Sequence, residues 1–130
     1  MLIRDCMTRD PVTVTPGDSL SAAKAKMEAG DFRRIPVIDG GRLVGILSEY
    51  DLKNYLRVLD STTVHTAMTG SPVTISSSES PEAAAALLRK HNIGALPVVD
   101  HGRLVGIVSA KNLWMSEPRP LPEWDPRTRR

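Results

Sequence analysis

The chain has 130 residues, 41% hydrophobic and 25% charged, ordinary values for a globular protein with one core's worth of apolar side chains. A formal net charge of +2 is too small for a general nucleic-acid surface, and no apolar run reaches the roughly 18 residues of a membrane span. One cysteine, Cys6, excludes an internal disulfide, and the opening MLIRDCMTRD lacks the apolar core of a signal peptide, so a cytoplasmic protein without a membrane partner is expected.

Cys6 reads as a small apolar residue near the start of a helix. The β-branched PVTV, Pro11–Val14, reads as an extended strand. A helix follows, with Asp18 or Ser19 as its cap, an apolar face of Ala22, Ala23 and Met27, and Gly30 suited to its end. Two apolar runs, IPVI and RLVGIL, joined by Asp39-Gly40-Gly41, form a hairpin with a tight turn. The spacing of Leu52, Tyr55, Leu56 and Leu59 predicts a second helix within EYDLKNYLRVL. After the polar linker DSTTVHTAMTG the same order returns: Ser80 caps a helix with Pro81 at its first position, and Asp100-His101-Gly102 makes the turn.

The return is an internal repeat. A shift of 61 positions superimposes Met68 on Met7, Pro97 on Pro36, Gly106 on Gly45 and Leu113 on Leu52 without a gap, and 20 of the 46 positions from Met7 to Leu52 are identical. Two copies are too few for a solenoid, so a closed pair is expected. The boundaries read as 1–60, 61–116 and a Pro-rich tail, 117–130, in which Trp124 is the one residue that would gain by packing.

The end of the repeated phrase carries the chemistry. The first copy reads GILSEYD. Gly45 admits the close approach of a ligand or of another backbone. Ser48 lies where a strand gives way to a helix, and Asp51 three residues later shares its opening. A carboxylate can accept from both hydroxyls of a ribose, although Ser followed by Glu and Asp is also what helix capping alone selects. The second copy ends GIVSAKN, and its Asn112 has one acceptor oxygen and no charge.

The phrases M-T-x-x-P-V-T-V and P-V-h-D-x-G-R-L-V-G-I-h-S (h, apolar), each present twice or nearly so, resemble the CBS domain, and two in tandem resemble a CBS pair, or Bateman module. The resemblance covers about Leu2 to Met115. It implies an α/β (α+β) fold of two β-α-β-β-α repeats packed through their sheets about a pseudo-twofold axis, with two clefts between them. It also implies a homodimer forming a four-domain disc, an adenosine-containing ligand (AMP, ADP, ATP or S-adenosylmethionine) and an attached or associated protein that is regulated.

By this resemblance the first site comprises Asp51 on the ribose and Ser48 near phosphate, with Val73, Thr74, Ile93, Gly94, Ala95 and Pro97 from the other copy. Ile93 and Pro97 would sandwich the adenine, and the backbone at Gly94 and Ala95 would read its edge. Composition alone makes Ile93 and Pro97 equally natural as core. Arg33 and Arg34 would face phosphates, for which the guanidinium fork is suited. The second site would use Ser109, Lys111 and Asn112 with Val12, Thr13, Phe32, Arg34 and Pro36. A neutral amide in place of a carboxylate should weaken it by about 1–2 kcal/mol, roughly 5- to 30-fold.

Neither a nucleophile in a catalytic motif nor metal-ligand spacing among His65, His91 and His101 is present, and both the P-loop and the dinucleotide fingerprint are missing. The expectation is a non-enzymatic adenine-nucleotide sensor that requires no cofactor. Its rivals are an interaction module with filled clefts, and a sensor of S-adenosylmethionine or a metal ion.

Overall fold

The computed structural model describes residues 1–115; the expected tail and Trp124 lie outside them. The elements run α1 (Ile3–Cys6), β1 (Thr8–Arg9), α2 (Leu20–Gly30), β2 (Arg34–Asp39), β3 (Arg42–Ser48) and a 3₁₀ helix (Glu49–Tyr55). The same series then recurs as α3 (Val64–Ala67), β4 (Thr69–Gly70), α4 (Pro81–His91), β5 (Ala95–Asp100), β6 (Arg103–Ser109) and α5 (Ala110–Trp114). The fold is mixed α/β, with two three-stranded antiparallel sheets ordered β1-β6-β5 and β2-β3-β4.

Among the described residues the compact units are Pro11–Pro72, and Met1–Asp10 together with Val73–Met115. These differ from the contiguous spans 1–60 and 61–116. The cause is strand pairing: β1 pairs with β6 and β4 with β3, so each hairpin takes its third strand from the short segment that opens the other repeat.

In the unit Pro11–Pro72, Ser19 is the cap of α2, its Oγ accepting the Ala22 N–H at 3.0 Å. Asp18 instead accepts the N–H of Thr15 at 2.9 Å. At the other end the left-handed position falls on Asp31 (φ 55°), one residue beyond the expected Gly30. Gly30 remains helical, and a Cβ there would strike the ring of Phe32. The apolar face of α2 packs with both hairpin strands around Val14, Leu20, Ala23, Met27, Ile35, Val37, Leu47, Leu52 and Val64.

The hairpin turn places Gly40 and Gly41 at φ of +58° and +82°, the left-handed pair that a tight two-residue turn requires. Gly45 answers to backbone: a Cβ there would lie 2.9 Å from the Thr69 carbonyl oxygen of β4 and 2.6 Å from the Met68 sulfur. Gly106 meets Thr8 of β1 (2.8 Å) and Met7 (2.6 Å) in the same way.

Two expected elements are corrected. The PVTV segment is not a strand; it contributes one parallel bridge, Val14 to Val37, because Pro11 has no N–H and Val12 is exposed. The predicted second helix is a 3₁₀ turn series ending at Tyr55, since only Leu52 of its apolar residues is buried in the core and too little packing supports a longer α-helix.

The other unit repeats this plan. Ser80 caps α4 through the Ala83 N–H (3.1 Å) with Pro81 in the first turn, Asn92 takes the left-handed position (φ 51°), and His101 (φ 51°) with Gly102 (φ 78°) forms the turn. Its core contains Ile3, Ile75, Ala84, Leu88, Leu96, Val98, Val108 and Leu113, each of which stands 61 positions from a core residue of the first unit, Ile3 being paired in this way with Val64. Cys6 is the last residue of α1 rather than near a helix start, half-buried, with its Sγ 3.6 Å from the Ile3 carbonyl. Burial, aided by Asp5, raises its pKa above the usual thiol value.

Candidate functional site

Ser48 ends β3, and Asp51 sits in the first turn of the 3₁₀ helix. The Ser48 N–H donates to Asp51 Oδ2 at 2.8 Å, and Ser48 Oγ accepts the Asp51 N–H at 3.2 Å. This reciprocal cap satisfies two backbone donors that the helix start leaves open. The capping alternative is therefore realised, but it consumes only part of the carboxylate. Each oxygen has two lone pairs, and Oδ1 takes no hydrogen bond among the described residues.

Arg34 lies directly opposite Ser48 in the β2–β3 register, so their side chains leave the same face of the hairpin. Arg34 is half-buried. Its pKa is lowered by burial and by the neighbouring Arg33 charge, and partly restored by Asp51. A cation held near an uncommitted carboxylate oxygen gives this edge both an acceptor and a phosphate-binding donor fork. Arg33 is different: its side chain is 80% exposed and reaches Glu49 at 3.9 Å. A surface pair of this kind contributes little.

The matching edge of the other unit keeps the cap and changes the chemistry. Ser109 ends β6, and its N–H donates to Asn112 Oδ1 at 2.8 Å. The Ser109 hydroxyl donates to the same oxygen at 2.9 Å, while the Asn112 N–H returns to Ser109 Oγ at 3.1 Å. Ala95 stands opposite Ser109 where Arg34 stands opposite Ser48. Lys111 is exposed beside this edge.

The structure thus brings Arg34, Ser48 and Asp51 together in one unit, and Ala95, Ser109 and Asn112 in the other. The base-contacting residues expected for the first site have packing roles within their own unit. Val73 and Ile93 lie against its core, Pro97 is buried, and its carbonyl accepts the Ile75 N–H at 3.1 Å. The Gly94 carbonyl accepts the Ala110 N–H at 2.9 Å, while Thr74 is exposed. Phe32 packs on the core of the first unit, Pro36 is buried, Thr13 half-buried and Val12 exposed.

One polar cluster escaped the sequence reading. Asp100, at the end of β5, accepts the Ser77 N–H (3.0 Å), the Ser77 hydroxyl and the Ser76 hydroxyl (3.1 Å). These bonds, those of Ser77 foremost, lower the Asp100 pKa. The Ser77 carbonyl in turn accepts the Arg4 N–H at 3.0 Å, tying α1 to the same loop. The SSS run was the available signal, since the other repeat has Thr15-Pro16-Gly17 there. Among the described residues no three His, Cys, Asp or Glu side chains are grouped to hold a metal ion, and no helix is long and apolar enough to cross a membrane.

A two-repeat α/β chain in which each hairpin ends in a serine-capped helix is the arrangement of a CBS pair, and the family model for the CBS domain matches residues 3–58 and 64–113. The chain belongs to the CBS domain family. Among solved structures, it is similar to Arabidopsis thaliana CBSX2 in complex with AMP, at 35% identity and a TM-score of 0.75 over 85% of this chain and 91% of that one. It is also similar to the CBS domain pair of protein MJ0100 in complex with 5′-methylthioadenosine and S-adenosyl-L-methionine, at 29% identity and a TM-score of 0.80 over 86% and 91%. Among curated proteins it is 35% identical to inosine-5′-monophosphate dehydrogenase of Korarchaeum cryptofilum over 87% of this chain and 24% of that protein. The chain spans about a quarter of the length of such dehydrogenase relatives.

Proposed function

We propose that the chain is a regulatory, non-catalytic CBS pair that binds an adenine nucleotide (AMP, ADP or ATP), works as a homodimer and signals to a partner protein. The observation that carries the reading is the group formed by Arg34, Ser48 and Asp51. Among the described residues Asp51 retains a carboxylate oxygen that takes no hydrogen bond, available to the ribose hydroxyls, and Arg34 supplies the charge for phosphate. The reading assigns the base to Val73, Thr74, Ile93, Gly94, Ala95 and Pro97, with Ile93 and Pro97 against the flat ring and the backbone at Gly94 and Ala95 on its edge, and gives Arg33 an outer phosphate contact. The AMP held by CBSX2 supports the ligand class.

S-adenosylmethionine is the second reading, supported by the ligands of the MJ0100 pair. It has the same ribose, but its sulfonium and the guanidinium of Arg34 repel. Regulation requires that the ligand favour one state of the module over another.

Equilibrium titration with AMP, ADP, ATP and S-adenosylmethionine tests the reading. Heat and a thermal shift with a nucleotide, and weaker binding of S-adenosylmethionine, are expected. No heat and no shift at millimolar nucleotide would overturn it.

A further inference from the structure

We infer that the chain takes one nucleotide, not two, and that Asn112 is the residue that denies a ribose its place at the second edge. The inference rests on the nucleotide reading above and concerns which edge can serve it. The two edges share their backbone: each serine ends a strand, caps a short helix and exchanges two bonds with the residue three positions on. Their outward chemistry is opposite.

The orientation of the Asn112 amide follows from its partner. The atom facing the Ser109 N–H must be an acceptor, so it is Oδ1, and the NH₂ group is turned away. The Ser109 hydroxyl donates to that same oxygen. Both lone pairs of the only acceptor on this side chain are therefore engaged within the edge. Asn112 has no acceptor left for a hydroxyl donor, whereas Asp51 has one oxygen that takes no hydrogen bond among the described residues. The loss is larger than the exchange of a charged acceptor for a neutral one.

The charge environment points the same way. Arg34 has no counterpart, because Ala95 occupies its register position opposite Ser109. The edge thus lacks both the acceptor for the diol and the half-buried cation for phosphate. Exposed Lys111 stands on the helix itself and has no carboxylate beside it in the first turn.

Calorimetric titration of the full chain with AMP tests this. One nucleotide per chain is expected for the parent, with Asp51→Asn lowering affinity roughly tenfold or more. Asn112→Asp keeps a capping side chain while freeing an acceptor, and it should add a second binding event. Two nucleotides per chain in the parent would overturn the inference and leave the nucleotide reading standing. So would a normally folded Asn112→Asp chain that still takes one, since Asn112 would then not be the determinant. A parent that binds no nucleotide would overturn both.

Discussion

Ser48 and Asp51 hold each other, N–H to carboxylate at 2.8 Å and N–H to hydroxyl at 3.2 Å, and Asn112 makes the same pair of backbone bonds with Ser109. An amide therefore serves the cap as well as a carboxylate does. This separates the structural role of position 51 from its proposed role in binding. Asp51→Asn should leave the denaturation midpoint close to that of the parent while binding falls. Asp51→Ala should in addition lose the carboxylate half of the reciprocal cap, the bond from the Ser48 N–H, at a cost of about 1 kcal/mol in urea denaturation.

Gly45 and Gly106 should be intolerant of any side chain. A Cβ at either would press on a β4 or β1 carbonyl oxygen at 2.9 or 2.8 Å, and backbone cannot yield as a flexible side chain can. Gly45→Ala is expected to cost about 1–3 kcal/mol in urea denaturation, as is Gly106→Ala. A neutral result at both would contradict the edge-strand packing.

The Asp100 cluster should make stability fall on acidification. Its carboxyl titrates below the usual value in the folded chain and at about 3.9 when unfolded. The stabilisation is therefore complete above the unfolded value and is lost as pH falls through the folded one. Asp100→Asn should flatten the decline of the thermal midpoint between about pH 5 and pH 3. A variant whose acid limb matches that of the parent would contradict the assignment.

Asp31 occupies a left-handed position that glycine takes at lower cost. Asp31→Gly should raise stability by up to about 1 kcal/mol, read as a higher urea midpoint.

The parts of the fold legible in the sequence were those written in local patterns: the hairpins with their Gly-rich turns, the Ser19 and Ser80 caps, and the duplication that places Leu52 and Leu113 in equivalent core positions. The exchange of edge strands was not legible. Thr8–Arg9 and Thr69–Gly70 are two residues each, too short for periodicity, and their partners lie far along the chain. The sequence showed that Gly45 needed space but not whether a ligand or a strand fills it. At the site, the Asp51/Asn112 contrast was legible as chemistry. The second bond from Ser109 that occupies the Asn112 oxygen depends on side-chain rotamers, which residue types do not encode. At Asp100 the SSS run was a signal, but which serines reach the carboxylate depends on rotamers in the same way.

The central claim is that Asp51 binds a nucleotide ribose, and calorimetric titration of AMP into the parent and into Asp51→Asn tests it most directly. The account predicts saturable binding to the parent and an affinity lowered roughly tenfold or more in the variant, with the unfolding transition preserved. Equal affinity in the two proteins would contradict it.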